Sequence, residues 1–166
     1  MKKSIIIIAA FIMIGTGLIA QNTATTNAAA KILSALTIQK NVDLNFGTMT
    51  MPTAATQVNL TAGGVRTTPG NITLLAQAPL ATASAYSVSG DNGATYAITL
   101  PSSCIITAPY GWMQVDNFTT SKVGNISTLN ASNGTDSFTV GATLEVNFPQ
   151  YAGSYSGTFD VSVAYN

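Results

Sequence analysis

The chain has 166 residues, of which only 7% are charged, with six basic and six acidic side chains and no histidine. So few charges leave no basic patch and offer nothing for counterion-release binding to nucleic acid. The missing histidine removes the usual general base and the commonest metal ligand, and a single cysteine, Cys104, permits no intramolecular disulfide.

Residues 1–20 read as a signal peptide. Lys2 and Lys3 form a positive start, residues 5–14 an apolar run, and Leu18-Ile19-Ala20 a cleavage site. The apolar run is short for a membrane span. An exported chain reaching the cell surface or the medium by way of the periplasm is therefore expected. Residues 21–30 are mostly Thr, Asn and Ala, with almost no bulky side chain, and predict an arm that stays flexible when unpaired.

Residues 31–166 read as one domain, and no helical period survives there. Alternation with period two recurs instead, separated by Gly, Pro and Asn. Leu36 and Ile38, then Val42, Leu44 and Phe46, precede Gly47. Short candidates follow at residues 72–74, and Tyr86 and Val88 alternate with serines. A turn at residues 90–93 leads into Ala94, Tyr96, Ile98 and Leu100. Residues 104–107 and 113–118 are further short runs.

The clearest run is 138–148, with Phe138, Val140, Ala142, Leu144, Val146 and Phe148 on one face. A Pro/Gly loop follows. Tyr155, Phe159, Val161, Val163 and Tyr165 then share a face to the end of the chain. These two runs predict a long antiparallel hairpin. The fold class expected is all-β, an antiparallel two-sheet sandwich.

No catalytic residue, metal, cofactor or small-molecule substrate is expected. The carboxylates are scattered, and Asp91-Asn92-Gly93 is first a turn signal. Trp112 beside Tyr110 reads either as a sugar-stacking platform or, more ordinarily, as a core or edge tryptophan. Cys104, before Ile105 and Ile106, reads as a buried, inert thiol, with intermolecular pairing as the alternative.

The ending, with Gly153 and a penultimate Tyr165 bracketing alternating apolar residues, resembles the C-terminal motif of chaperone–usher pilus subunits and of spore coat protein U-type pilins. Leu44-Asn45-Phe46-Gly47-Thr48 is similar to a segment of the same group. The domain also resembles a secreted bacterial family known chiefly as a domain of unknown function, through that opening, residues 93–101 and the ending.

The resemblance implies an immunoglobulin-like sandwich lacking its last strand, completed first by a periplasmic chaperone at an outer-membrane usher and then by the arm of another subunit. Gly153, Phe159, Val161, Val163 and Tyr165 would then form the acceptor strand. Ala28, Ala30 and Ile32 would be inward residues of the donor arm. Partners would be other copies of the chain or related subunits, in a pilus or fimbria that does not close on itself. The alternative is a self-complete secreted sandwich that binds cell-surface or matrix partners, with residues 30–40 as its own first strand.

Overall fold

The computed structural model describes residues 22–166. The signal-peptide reading of residues 1–20 lies outside them. The chain divides into two units, 1–31 and 32–166. In the first, described residues 22–31 carry neither helix nor strand and are exposed, Ala28 and Ala30 among them.

In the second unit, alternating polar and apolar side chains produce strands, because each strand must bury one face and wet the other. The strands are β1 (Thr37–Val42), β2 (Thr56–Leu60), β3 (Arg66–Thr67), β4 (Ser84–Ser89) and β5 (Thr95–Thr99). After them come β6 (Ser103–Ala108), β7 (Gly111–Thr120), β8 (Ile126–Thr128), β9 (Thr135–Val146) and β10 (Ser162–Tyr165). One short 3₁₀ turn, Val123–Asn125, precedes β8. No α-helix occurs among the described residues.

All pairings are antiparallel. The larger sheet runs β1-β4-β9-β2-β3, with β7 on the other edge of β9 and β6 beyond it. The smaller sheet is β10-β5-β8. The two sheets pack as an all-β sandwich, as expected.

Strand β9 is the spine. Its first half pairs with β4, up to Ser84 opposite Val140, and its second half pairs with β2, from Ala142 opposite Leu60. Gly141 sits at the handover. A β-carbon there would overlap the Leu60 carbonyl oxygen and the backbone of Thr61 and Ala62.

The predicted hairpin of 138–148 with 155–165 does not form. Strands β9 and β10 lie in different sheets, and β10 pairs with β5, Val163 opposite Ile98 and Tyr165 opposite Tyr96. The physical reason is that β9 has no free edge, since β4 and β2 take one side and β7 the other. Alternation names a strand's faces but not its neighbours.

Two hydrophobic clusters make the core. In one, Tyr86, Val88, Phe138 and Val140 of the larger sheet meet Tyr96 and Ile98 of the smaller. Tyr86 and Phe138 stack with ring centroids 5.1 Å apart. The other cluster gathers Val58, Leu60, Met113, Val115, Leu144 and Val146 under the larger sheet, with Phe46 against them. None of its buried members belongs to β5, β8 or β10. The smaller sheet therefore roofs only half of the core, and irregular chain roofs the rest.

A candidate strand-acceptor cleft

The roof over the second cluster is built from two segments, residues 44–52 and residues 150–159. An open cleft of about 540 Å³ runs between them. Its floor is apolar core: Cys104 and Ile106 of β6, Met113 and Val115 of β7, Leu144 and Val146 of β9. Met49 and Met51 join Met113 and Cys104 in lining it. Unbranched sulfur side chains adapt to the shape of whatever packs on them.

The first wall hangs on its outer side only. Asn45 exchanges both backbone hydrogen bonds with Thr82, at 2.9 and 2.8 Å. The Leu75 amide donates to the Thr48 carbonyl and the Thr50 amide to the Thr73 carbonyl, both at 3.0 Å, on either side of the Met49–Leu74 bridge. In antiparallel geometry this directs the amide and carbonyl of Met49 itself away from Leu74.

Arg66 locks the same wall. Its guanidinium donates to the carbonyls of Phe46 at 2.6 Å, Thr48 at 3.0 Å and Leu75 at 2.8 Å. The planar fork of an arginine suits such a cluster of acceptors. Gly47 has φ +73°, and a β-carbon there would lie 2.7 Å from Arg66 Nη1 and 2.8 Å from the Ala81 nitrogen. The Gly47 amide also donates to Asn45 Oδ1 at 2.7 Å. Glycine is thus required at 47 by both conformation and space.

The second wall mirrors the first. Ser156 exchanges both backbone bonds with Thr107 at the outer edge of β6, at 2.9 and 3.0 Å. Its neighbours Tyr155 and Gly157 consequently direct their amides and carbonyls away from β6. The Gln150 side-chain amide donates to Tyr155 Oη at 2.6 Å, and Tyr155 Oη donates to the Tyr151 carbonyl at 2.7 Å.

Of the predicted acceptor residues, Gly153 and Phe159 line this cleft. Phe159 also meets Phe118, with centroids 4.8 Å apart. Val161, Val163 and Tyr165 do not line it; they pack half-buried on the other cluster, along β10 and its approach. Of the predicted donor residues, Ala28 and Ala30 lie outside any strand, and Ile32 is 92% exposed.

Sequence reasoning missed the floor and most of the first wall. The signal present was the Leu44–Thr48 motif, whose Asn and Gly have the roles just described.

One polar cluster lies apart from the cleft. Asp136 accepts from Lys122 Nζ at 2.8 Å, Tyr96 Oη at 2.9 Å, Ser127 Oγ at 2.6 Å and the Ser137 amide at 2.8 Å. Burial opposes its charge, yet these donors together hold the carboxyl below its ordinary pKa. Burial, then the neighbouring carboxylate, pushes the Tyr96 phenol well above its usual value. Burial likewise raises the Cys104 thiol. Among the described residues, no three His, Cys, Asp or Glu side chains come together.

Fold and cleft together define an antiparallel β-sandwich with an apolar trough between two one-sided chain edges. A family model described as a domain of unknown function, DUF4402, matches residues 36–165, and the chain belongs to that family. No curated protein and no solved structure matches it.

Proposed function

We propose that this chain is an exported, non-catalytic structural subunit of a bacterial surface fibre or fimbria, and that its cleft accepts an extended strand from another subunit. The single observation that carries this reading is the cleft itself. Core side chains lie open between two backbone segments that are each hydrogen-bonded on one side only. An incoming strand would find ladder partners at both walls and an apolar floor for every second side chain. At roughly 1.5–3 kcal/mol for each large side chain buried, a few such positions make a durable junction.

The acceptor role falls on residues 150–159 and 44–52. Residues 22–33 of a second copy, or the equivalent arm of a related subunit, are the donor in this reading. A periplasmic chaperone and an outer-membrane usher would handle the chain before assembly. Asp136 has a structural role in it: four donors converge on its carboxylate, which fixes β9 to β5, β8 and the Lys122 turn.

The test is assembly. Purified protein should form head-to-tail polymers or bind a synthetic peptide of residues 22–33, and deletion of residues 21–30 should leave monomers that still bind the peptide. A chain that stays monomeric and binds no strand peptide overturns the reading.

One observation favours a second reading, a self-contained secreted sandwich that binds cell-surface or matrix partners. The chain supplies its own first strand, β1, paired with β4 from Thr37 opposite Ser89 onward. Reversible two-state unfolding without any added strand would support this alternative.

A further inference from the structure

The cleft and the chain's own arm are poorly matched in bulk. About 540 Å³ lies open between the walls, and no described residue lining it is charged. Large apolar side chains stand exposed on both walls, Met51 at 62% on the first and Tyr151 at 63% on the second. Three of the lining side chains, Met49, Met51 and Met113, are unbranched thioethers that can shift to admit a bulky neighbour.

Residues 22–33 answer this poorly. An extended strand turns alternate side chains to one face. The even positions of the arm offer Asn22, Ala24, Thr26, Ala28, Ala30 and Ile32. The opposite face would bring Asn27 and Lys31 into an uncharged apolar trough, where polar groups without partners are disfavoured.

The even face has one bulky apolar side chain, Ile32. That residue stands only two positions from Ser34, whose carbonyl is held by the Tyr165 phenol of its own domain. Two residues of chain span about 7 Å at most, so Ile32 does not pass deep into a neighbour's cleft while that bond persists. The alanines that remain fill little of the space, and unfilled apolar volume forfeits packing contacts.

We propose, on the strand-acceptor reading above, that the cognate occupant of the cleft is an extended segment of a different protein, with large uncharged apolar side chains at alternate positions. Residues 22–33 of a second copy are then the weaker occupant. In a mixed assembly the chain seats an unlike subunit in preference to itself.

Three fluorescein-labelled peptides, titrated with the purified protein and followed by anisotropy, test this. One is residues 22–33 unchanged. The second has Thr26→Leu, Ala28→Leu and Ala30→Leu, which places all three leucines on the even face. The third has Thr25→Leu, Ala28→Leu and Ala29→Leu, the same composition split between the two faces. The second peptide should bind about tenfold tighter than the first, or more, because it buries more apolar surface. It should also shield Cys104, on the cleft floor, from iodoacetamide. The third should stay close to the first.

An unchanged segment that binds as tightly as the second peptide overturns this inference and leaves the strand-acceptor reading standing. So does a third peptide that matches the second, since that is adsorption by composition alone, or tight binding that leaves Cys104 alkylation unaltered. Binding by none of the three overturns the strand-acceptor reading, and this inference with it.

Discussion

Tyr165 Oη donates a 2.8 Å hydrogen bond to the carbonyl of Ser34, 131 positions earlier, and accepts a 2.7 Å bond from the Asp91 amide. One phenol at the end of β10 thus ties the segment entering β1 to the turn between β4 and β5. Gly90 makes room for it, since a β-carbon there would collide with Tyr165 Oη. Tyr165→Phe should cost about 1–2 kcal/mol in urea unfolding, the usual range for two lost hydrogen bonds. Gly90→Ala, which expels the ring, should cost more.

Gly141 is the point at which β9 passes from β4 to β2. Its contact atoms are backbone, which cannot swing aside as a side chain can. Gly141→Ala should therefore destabilise by about 3 kcal/mol or prevent folding, in the range of an overpacked core. Gly64→Ala has no atom within 4 Å, but φ +83°. It should show the milder penalty of backbone strain alone, about 1 kcal/mol. Paired urea titrations separate the two effects.

Arg66 holds one wall of the cleft through three carbonyls. Arg66→Lys retains the charge but not the fork, and Arg66→Ala loses both. Losses of about 1–2 and 2–3 kcal/mol respectively are expected from hydrogen bonds with a charged donor. If the wall serves strand binding, peptide affinity should fall in the same order, as read by fluorescence anisotropy.

Asp136 makes stability depend on acid. Its pKa is lowered in the folded chain, so its contribution is fully present above the unfolded aspartate value, near pH 3.9. It is lost as pH falls through the lower folded value, because protonation then favours the unfolded state. Asp136→Asn should cost about 2 kcal/mol at pH 7. The gap from wild type should narrow below about pH 4. A constant gap from pH 7 to pH 2 would assign Asp136 no such role.

Cys104 reports the state of the cleft. The thiol lines the floor, and burial raises its pKa, so thiolate is scarce at neutral pH. Alkylation by iodoacetamide, followed by mass spectrometry, should be slow and should speed up as pH rises. A strand seated in the cleft should suppress it further. Equal labelling with and without bound strand peptide would show that the peptide lies elsewhere.

Within the fold, most strands were legible, though not all. β2, with Thr56, Val58 and Leu60 buried and Gln57 and Asn59 exposed, carries the same alternation as the strands that were recognised. Its run is only five residues, and its polar members merge with the surrounding Thr- and Ala-rich chain, so the period does not stand out. β8, three residues long, offers too little pattern to detect.

Alternation along the chain determined the all-β class and the inward faces of β4, β5, β9 and β10, since a pleated strand turns every second side chain the same way. Partnership was decided only in three dimensions. β10 went to β5 because β9 had both edges filled, and the cleft arose because the smaller sheet stops short of half the core. Such features depend on which edges remain free once the longest strand has paired. That competition involves residues far apart in the chain, and no local period records its outcome.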